Sequence, residues 1–159
     1  MEERLIGHVG VDSGQLLLCD PCYIESEWEK EEFADIRVYE HKVTKDRLTF
    51  GKDFPHYQHP IDRYDGKNMN ELNATGEWIE IDRPNAIHNF SYNACCQATL
   101  SNEGHGQLKY KMGHAGVGVA FRTAFGDGVY PVYAKYTDDG TLKSVEVVFW
   151  EDDEEETNP

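Results

Sequence analysis

The sequence predicts a mostly β chain: an antiparallel sandwich or partly open barrel of about seven to nine strands with one short helix. Three observations carry that expectation. In the C-terminal third, Val145, Val147 and Phe149 alternate with Ser144, Glu146 and Val148, the period of two of a strand with one buried face. Short apolar runs are separated by turns that carry glycine beside aspartate, such as Asp12-Ser13-Gly14 and Gly126-Asp127-Gly128. The chain has 159 residues, 39% of them apolar, which suffices for one core without a metal or disulfide staple. The expected organisation is a single β-rich domain over 1–150 and a disordered acidic tail over 151–159.

Taken in order, His8–Val11 and Leu16–Leu18 read as the strands of an opening hairpin, ended by Asp20-Pro21 because proline lacks the ladder N–H. Ser26 with Glu29 has capping-box spacing, so a helix is expected from Ser26 to Phe33. Ile36 to Phe50 suggests a strand pair turning at Thr44–Arg47. The segment from Gly51 to Gly76 shows no period and is expected to be irregular. Trp78–Ile81 and Ala94–Leu100 read as further strands. Val117–Phe125, Val129–Tyr136 and Leu142–Phe149 read as three antiparallel strands joined by Gly126-Asp127-Gly128 and Asp138-Asp139-Gly140. Val117, Val119 and Phe121 should share one face, and Gly116, Gly118 and Ala120 the other, broken by Arg122. So small a face admits close approach by another backbone or a ligand.

The formal net charge is −15, and six carboxylates run from Glu151 to Glu156. An acidic body repels phosphate backbones, so nucleic-acid binding is not expected. The N-terminus has neither a basic n-region nor an apolar h-region, and no run reaches the roughly 18 apolar residues of a membrane span. A cytoplasmic protein that binds no membrane is the expectation.

Several constellations suggest chemistry. Cys19-Asp20-Pro21-Cys22 has C-x-x-C spacing, but the other thiols, Cys95 and Cys96, are vicinal on an expected strand and would point apart. Buried, reduced cysteines are the favoured reading, and no cofactor is implied. His56, His59 and Asp62 could cluster around a metal, and His105 and His114 flank a turn. No nucleophile–base, zincin or phosphate-loop motif accompanies them. Turn chemistry alone accounts for Asp12, Asp20 and Asp127. Arg122 either lays its stem over the small-residue face or meets an anionic ligand.

Two motifs can be joined. Ser13-Gly14-Gln15-Leu16-Leu17-Leu18-Cys19-Asp20-Pro21 and Gly126-Asp127-Gly128-Val129-Tyr130-Pro131-Val132-Tyr133 together resemble a family of bacterial and phage-borne proteins classed as a domain of unknown function. The resemblance implies a shared β-rich fold and a microbial or viral origin, and implies no activity.

The leading expectation is a non-enzymatic binding protein for a small molecule or a protein partner. Recognition would use the Gly/Ala-rich sheet face and the loop from Phe54 to Gly66, with Tyr57, Tyr64, Tyr130 and Tyr133 stacking on a planar ligand and Arg122 and Asp127 as polar contacts. The alternatives are a metal-dependent hydrolase built on His56, His59 and the turn aspartates, and a phage accessory protein that inhibits a host factor by acidic mimicry.

Overall fold

Two long, bent strands organise the chain in the computed structural model, which describes residues 1–81 and 89–150. β1 (Glu2–Val11) leads into β2 (Gln15–Cys19), and β7 (Ala115–Arg122) leads into β8 (Gly128–Tyr136). β1 pairs antiparallel with β8, and β2 with β7. Val11 faces Gly128 on one side of the break and Gln15 faces Arg122 on the other, so the register shifts by only two residues across it. The four segments form one folded ribbon. At its corner Gly14 N–H donates to Asp127 Oδ1 at 2.8 Å, and Thr123 N–H donates to the Gly14 carbonyl at 2.9 Å. Gly14 and Gly126 take φ of 65° and 76°, which L side chains rarely adopt.

This arrangement corrects two expected hairpins. β1 does not pair with β2, nor β7 with β8, because both turns carry the chain from one sheet into another. Glycine and aspartate specify a change of direction and leave the partner strand open. The hairpin of β8 with β9 (Leu142–Val147) stands as expected, with Asp138-Asp139-Gly140 in its connection.

The first sheet has the order β1-β8-β9, and the second has the order β2-β7-β6, with β6 at His105–Lys109. Opposite Leu108 and Lys109, β7 bulges over Gly116 and Val117. The bulge turns Val117 into the core beside Ala120 and leaves Val119 outside, so the two valines do not share a face.

The expected strand over Ala94–Leu100 is a helix, α3 (Tyr92–Thr99). Ser91 Oγ accepts the Ala94 N–H as N-cap. Ala94, Cys95 and Ala98 pack on the second sheet with Leu108, Val117 and Ala120. A Cβ on Gly106 would come within 2.9 Å of Ala98 Cβ. The small-residue face therefore admits a backbone, and that backbone is α3.

Between Asp35 and Ile81 the chain makes an excursion with its own core. Its sheet has the order β4-β3-β5, from Arg47–Thr49, Val38–His41 and Trp78–Ile81. The β3–β4 pair and β5 stand where the sequence puts them. The segment expected to be irregular is packed: Phe54, Ile61, Met69 and Leu72 are buried against Tyr39, Leu48 and Trp78. Helix α2 (Met69–Ala74) begins with a complete Asn68–Glu71 capping box.

The expected Ser26–Phe33 helix is displaced. Helix α1 is one turn, Tyr23–Ser26, with Cys22 as N-cap. Glu29 N–H instead donates to the Phe90 carbonyl, and Glu29 bridges to Ser91. That long-range pairing overrides the local capping signal. Among the described residues no helix is long and apolar enough to cross a membrane. The tail expected over 151–159 lies outside the described residues.

Candidate functional site

The residues singled out from sequence fall into separate environments. Tyr57 belongs to the excursion, stacked on Phe50 with the Arg37 guanidinium 4.9 Å from its ring centre. Its hydroxyl donates to Asp35 Oδ2 and accepts from Tyr39, each at 3.2 Å. Burial, then the Tyr39 hydroxyl, holds the Tyr57 phenol far above its ordinary pKa. Burial also opposes ionisation of Asp35, but the Arg37 hydrogen bonds and charge outweigh it and hold that carboxyl below the usual range. Tyr64 donates to Asp46 Oδ2 at 2.7 Å and meets Trp78 edge to face. Burial and then Asp46 push its phenol up to about 12.

Asp127, Tyr130 and Arg122 gather around the ribbon corner. Tyr130 is buried and donates to the Gly126 carbonyl at 2.9 Å. Arg122 lies across Gly104, where a Cβ would fall 2.3 Å from its Nε. Tyr133 sits further along β8, between Leu5 and Glu146. Of the residues proposed to stack on a ligand, Tyr57, Tyr64 and Tyr130 spend their rings and hydroxyls on neighbours within the fold.

The four cysteines are free. Cys95 and Cys96 lie on a helix, not a strand, and Cys22 does open a helix, though only one turn long. Burial, then Cys96 and Cys19, pushes the Cys95 thiol up to about 12, and the thiols of Cys19 and Cys22 are also raised. Reactive cysteines need the opposite shift. His56 and His59 meet edge to face, with ring centres 5.5 Å apart. Asp20 accepts the Cys22 N–H within its own turn, and Asp127 accepts the Gly14 N–H across the ribbon corner. Among the described residues no three or more His, Cys, Asp or Glu side chains are grouped to hold a metal ion.

One surface was not anticipated. Phe149 contacts Phe121, on the outer face of the second sheet, and Tyr130, on the apolar face of the first, with ring centres 6.3 and 5.1 Å away. Those two faces therefore meet at Phe149 and form a trough inside the bend. Leu18, 70% exposed, stands with its cross-strand neighbour Val119 on one wall. Val145, 53% exposed, and Leu142 stand on the other. Phe125 stacks on Trp150 beyond the corner with both rings more than half exposed. Among the described residues β1 and β9 each pair only with β8, so the first sheet has two open edges. Period-two alternation had marked Val145, but it cannot distinguish a core face from an uncovered one.

Comparison of the chain with protein-family models, with curated proteins and with solved structures finds no match.

Proposed function

We propose that this protein is a non-enzymatic binding module that takes a protein partner in the trough of the folded ribbon. The observation that carries the reading is the set of exposed apolar side chains on the two walls, Leu18 and Val119 on one and Val145 and Leu142 on the other. Exposed apolar side chains grouped at one bend mark an interaction site more often than single residues scattered over a surface do. The open edges of β1 and β9 suit an extended segment that adds backbone hydrogen bonds to side-chain contacts. Charge supports the kind of partner. The net charge is −15, and the sequence runs from Trp150 straight into six carboxylates, favouring an apolar segment that carries Lys or Arg.

Quantitative affinity capture tests this. Wild type should enrich a basic partner, less so at high salt. A Leu18→Asp/Val145→Asp variant with an unchanged circular dichroism spectrum should lose at least about tenfold of that enrichment, as expected for removing central apolar anchors. Val43→Asp, on an exposed turn of the excursion, should capture as wild type does. Equal capture by the trough variant would reject the reading.

A further inference from the structure

A different feature, independent of the trough, carries a second site. The end of β3, the start of β5 and the turns around α2 enclose a cleft of about 190 Å³, lined by His41, Arg63, Tyr64, Lys67 and Trp78, with Leu72 and Thr75 and the carboxylates Asp65 and Glu77 also on its walls. We propose that this cleft binds a small oxyanion, a carboxylate or phosphate group.

Its walls carry several donors beside the two carboxylates. Trp78 is 6% exposed, and its contacts are edge-to-face packing with His41 and Tyr64. Its indole N–H has no hydrogen-bond acceptor among the described residues. A buried donor left without an acceptor is costly, and native proteins seldom leave one so. His41 Nδ1 accepts the N–H groups of Val43 and Thr44 at 3.2 and 3.1 Å, which places the proton of the neutral ring on Nε2. That nitrogen faces the Glu77 carboxylate, whose Oε2 is 3.7 Å away and beyond hydrogen-bond reach.

Cationic groups complete the set. Arg63 donates to the Arg47 carbonyl at 2.8 Å, pairs with Asp53 Oδ1 at 3.7 Å and lies over the Tyr64 ring at the cleft wall. Lys67 makes no ion pair among the described residues. Indole N–H, imidazole N–H, ammonium and guanidinium are the donors that recognise an oxyanion, here in a chain whose net charge is −15. The volume is below the roughly 300 Å³ of drug-sized pockets and suits one small anionic group.

The test follows the Trp78 indole cross-peak in ¹⁵N-labelled protein, assigned by its loss in Trp78→Phe. Sodium phosphate and sodium acetate are titrated separately at constant ionic strength set with chloride. The expected result is a saturable shift with at least one probe, and the probe that saturates identifies the class of anion. Lys67→Ala, at an exposed position, should weaken the apparent affinity about tenfold, the loss of one charge-assisted contact. A shift that fails to saturate with both probes, or one unchanged in Lys67→Ala, would overturn the proposal.

Discussion

In the excursion, aromatic side chains answer one another: Tyr39, Phe50, Phe54 and Tyr57 pack ring against ring, and Asp35, Arg37 and the two phenols close a hydrogen-bonded group around them. On the folded ribbon α3 answers one face of the second sheet and Phe149 touches Phe121 on the other, while Leu18 and Val145 stand in solvent. Both regions are rich in apolar residues, yet their surfaces are unequal. Aromatic density in a sequence says where a core lies, and uncovered apolar surface says where a partner fits.

The largest effect expected from breaking this contrast is Phe54→Ala. Phe54 is fully buried in the excursion core, so truncation should cost about 3–5 kcal/mol in urea denaturation. Hydrogen exchange sharpens the comparison. Amides of β3 to β5 should lose protection first, whereas equal loss in β2 and β7 would mean that the two cores unfold as one.

Gly106→Val tests the covered face of the ribbon. Its side chain would meet Ala98 of α3, so a loss of about 2–3 kcal/mol is expected by thermal melting. A neutral result would mean that α3 yields easily and that the face is less filled than the contact implies.

Asp35→Asn should cost about 1–2 kcal/mol at neutral pH, because it weakens charge-assisted bonds from Arg37 and Tyr57. The folded carboxyl has a pKa below its unfolded value of about 3.9. Its stabilising contribution is therefore complete above that value and lost as pH falls through the folded one. Melting curves across acid pH should show this decline in wild type, and a shallower one in the variant.

The smallest effect belongs to Asp127. Asn keeps the side-chain oxygen that accepts from Gly14, so Asp127→Asn should fall within about 0.5 kcal/mol of wild type, whereas Asp127→Ala should lose about 1 kcal/mol. A large loss for Asn would mean that the charge itself matters at the corner.

These residues also show how far the sequence could be read. The β8–β9 hairpin and the β3–β4 pair were legible because their contacts are local, and β5 because Trp78-Ile79-Glu80-Ile81 is rich in strand formers although its partner β3 is distant in sequence. The two motifs at Ser13-Gly14 and Gly126-Asp127 were legible as turns. Their mutual partnership was not, since it joins residues more than a hundred positions apart. Helix α3 escaped because Cys95, Cys96 and Thr99 have weak helix preference; Ser91 three residues before Ala94 was the signal that could have found it. The excursion core escaped because Phe54 and Ile61 are single anchors and Met69 and Leu72 make only one i, i+3 pair; the Asn68–Glu71 capping-box spacing was the signal that could have found α2. The trough escaped for a further reason. Leu18 and Val145 look like any buried strand residues until the bend shows that nothing in the second sheet or α3 covers them.

Placing a photo-reactive residue at position 18, inside the trough, and comparing it with one at position 43 on the excursion tests the central claim most directly. Irradiation in the source lysate should crosslink one basic protein from position 18, and excess unlabelled wild type should compete it away. Position 43 should yield no such product. Crosslinking of the same protein from position 43, or the absence of a competable product at position 18, would contradict the account.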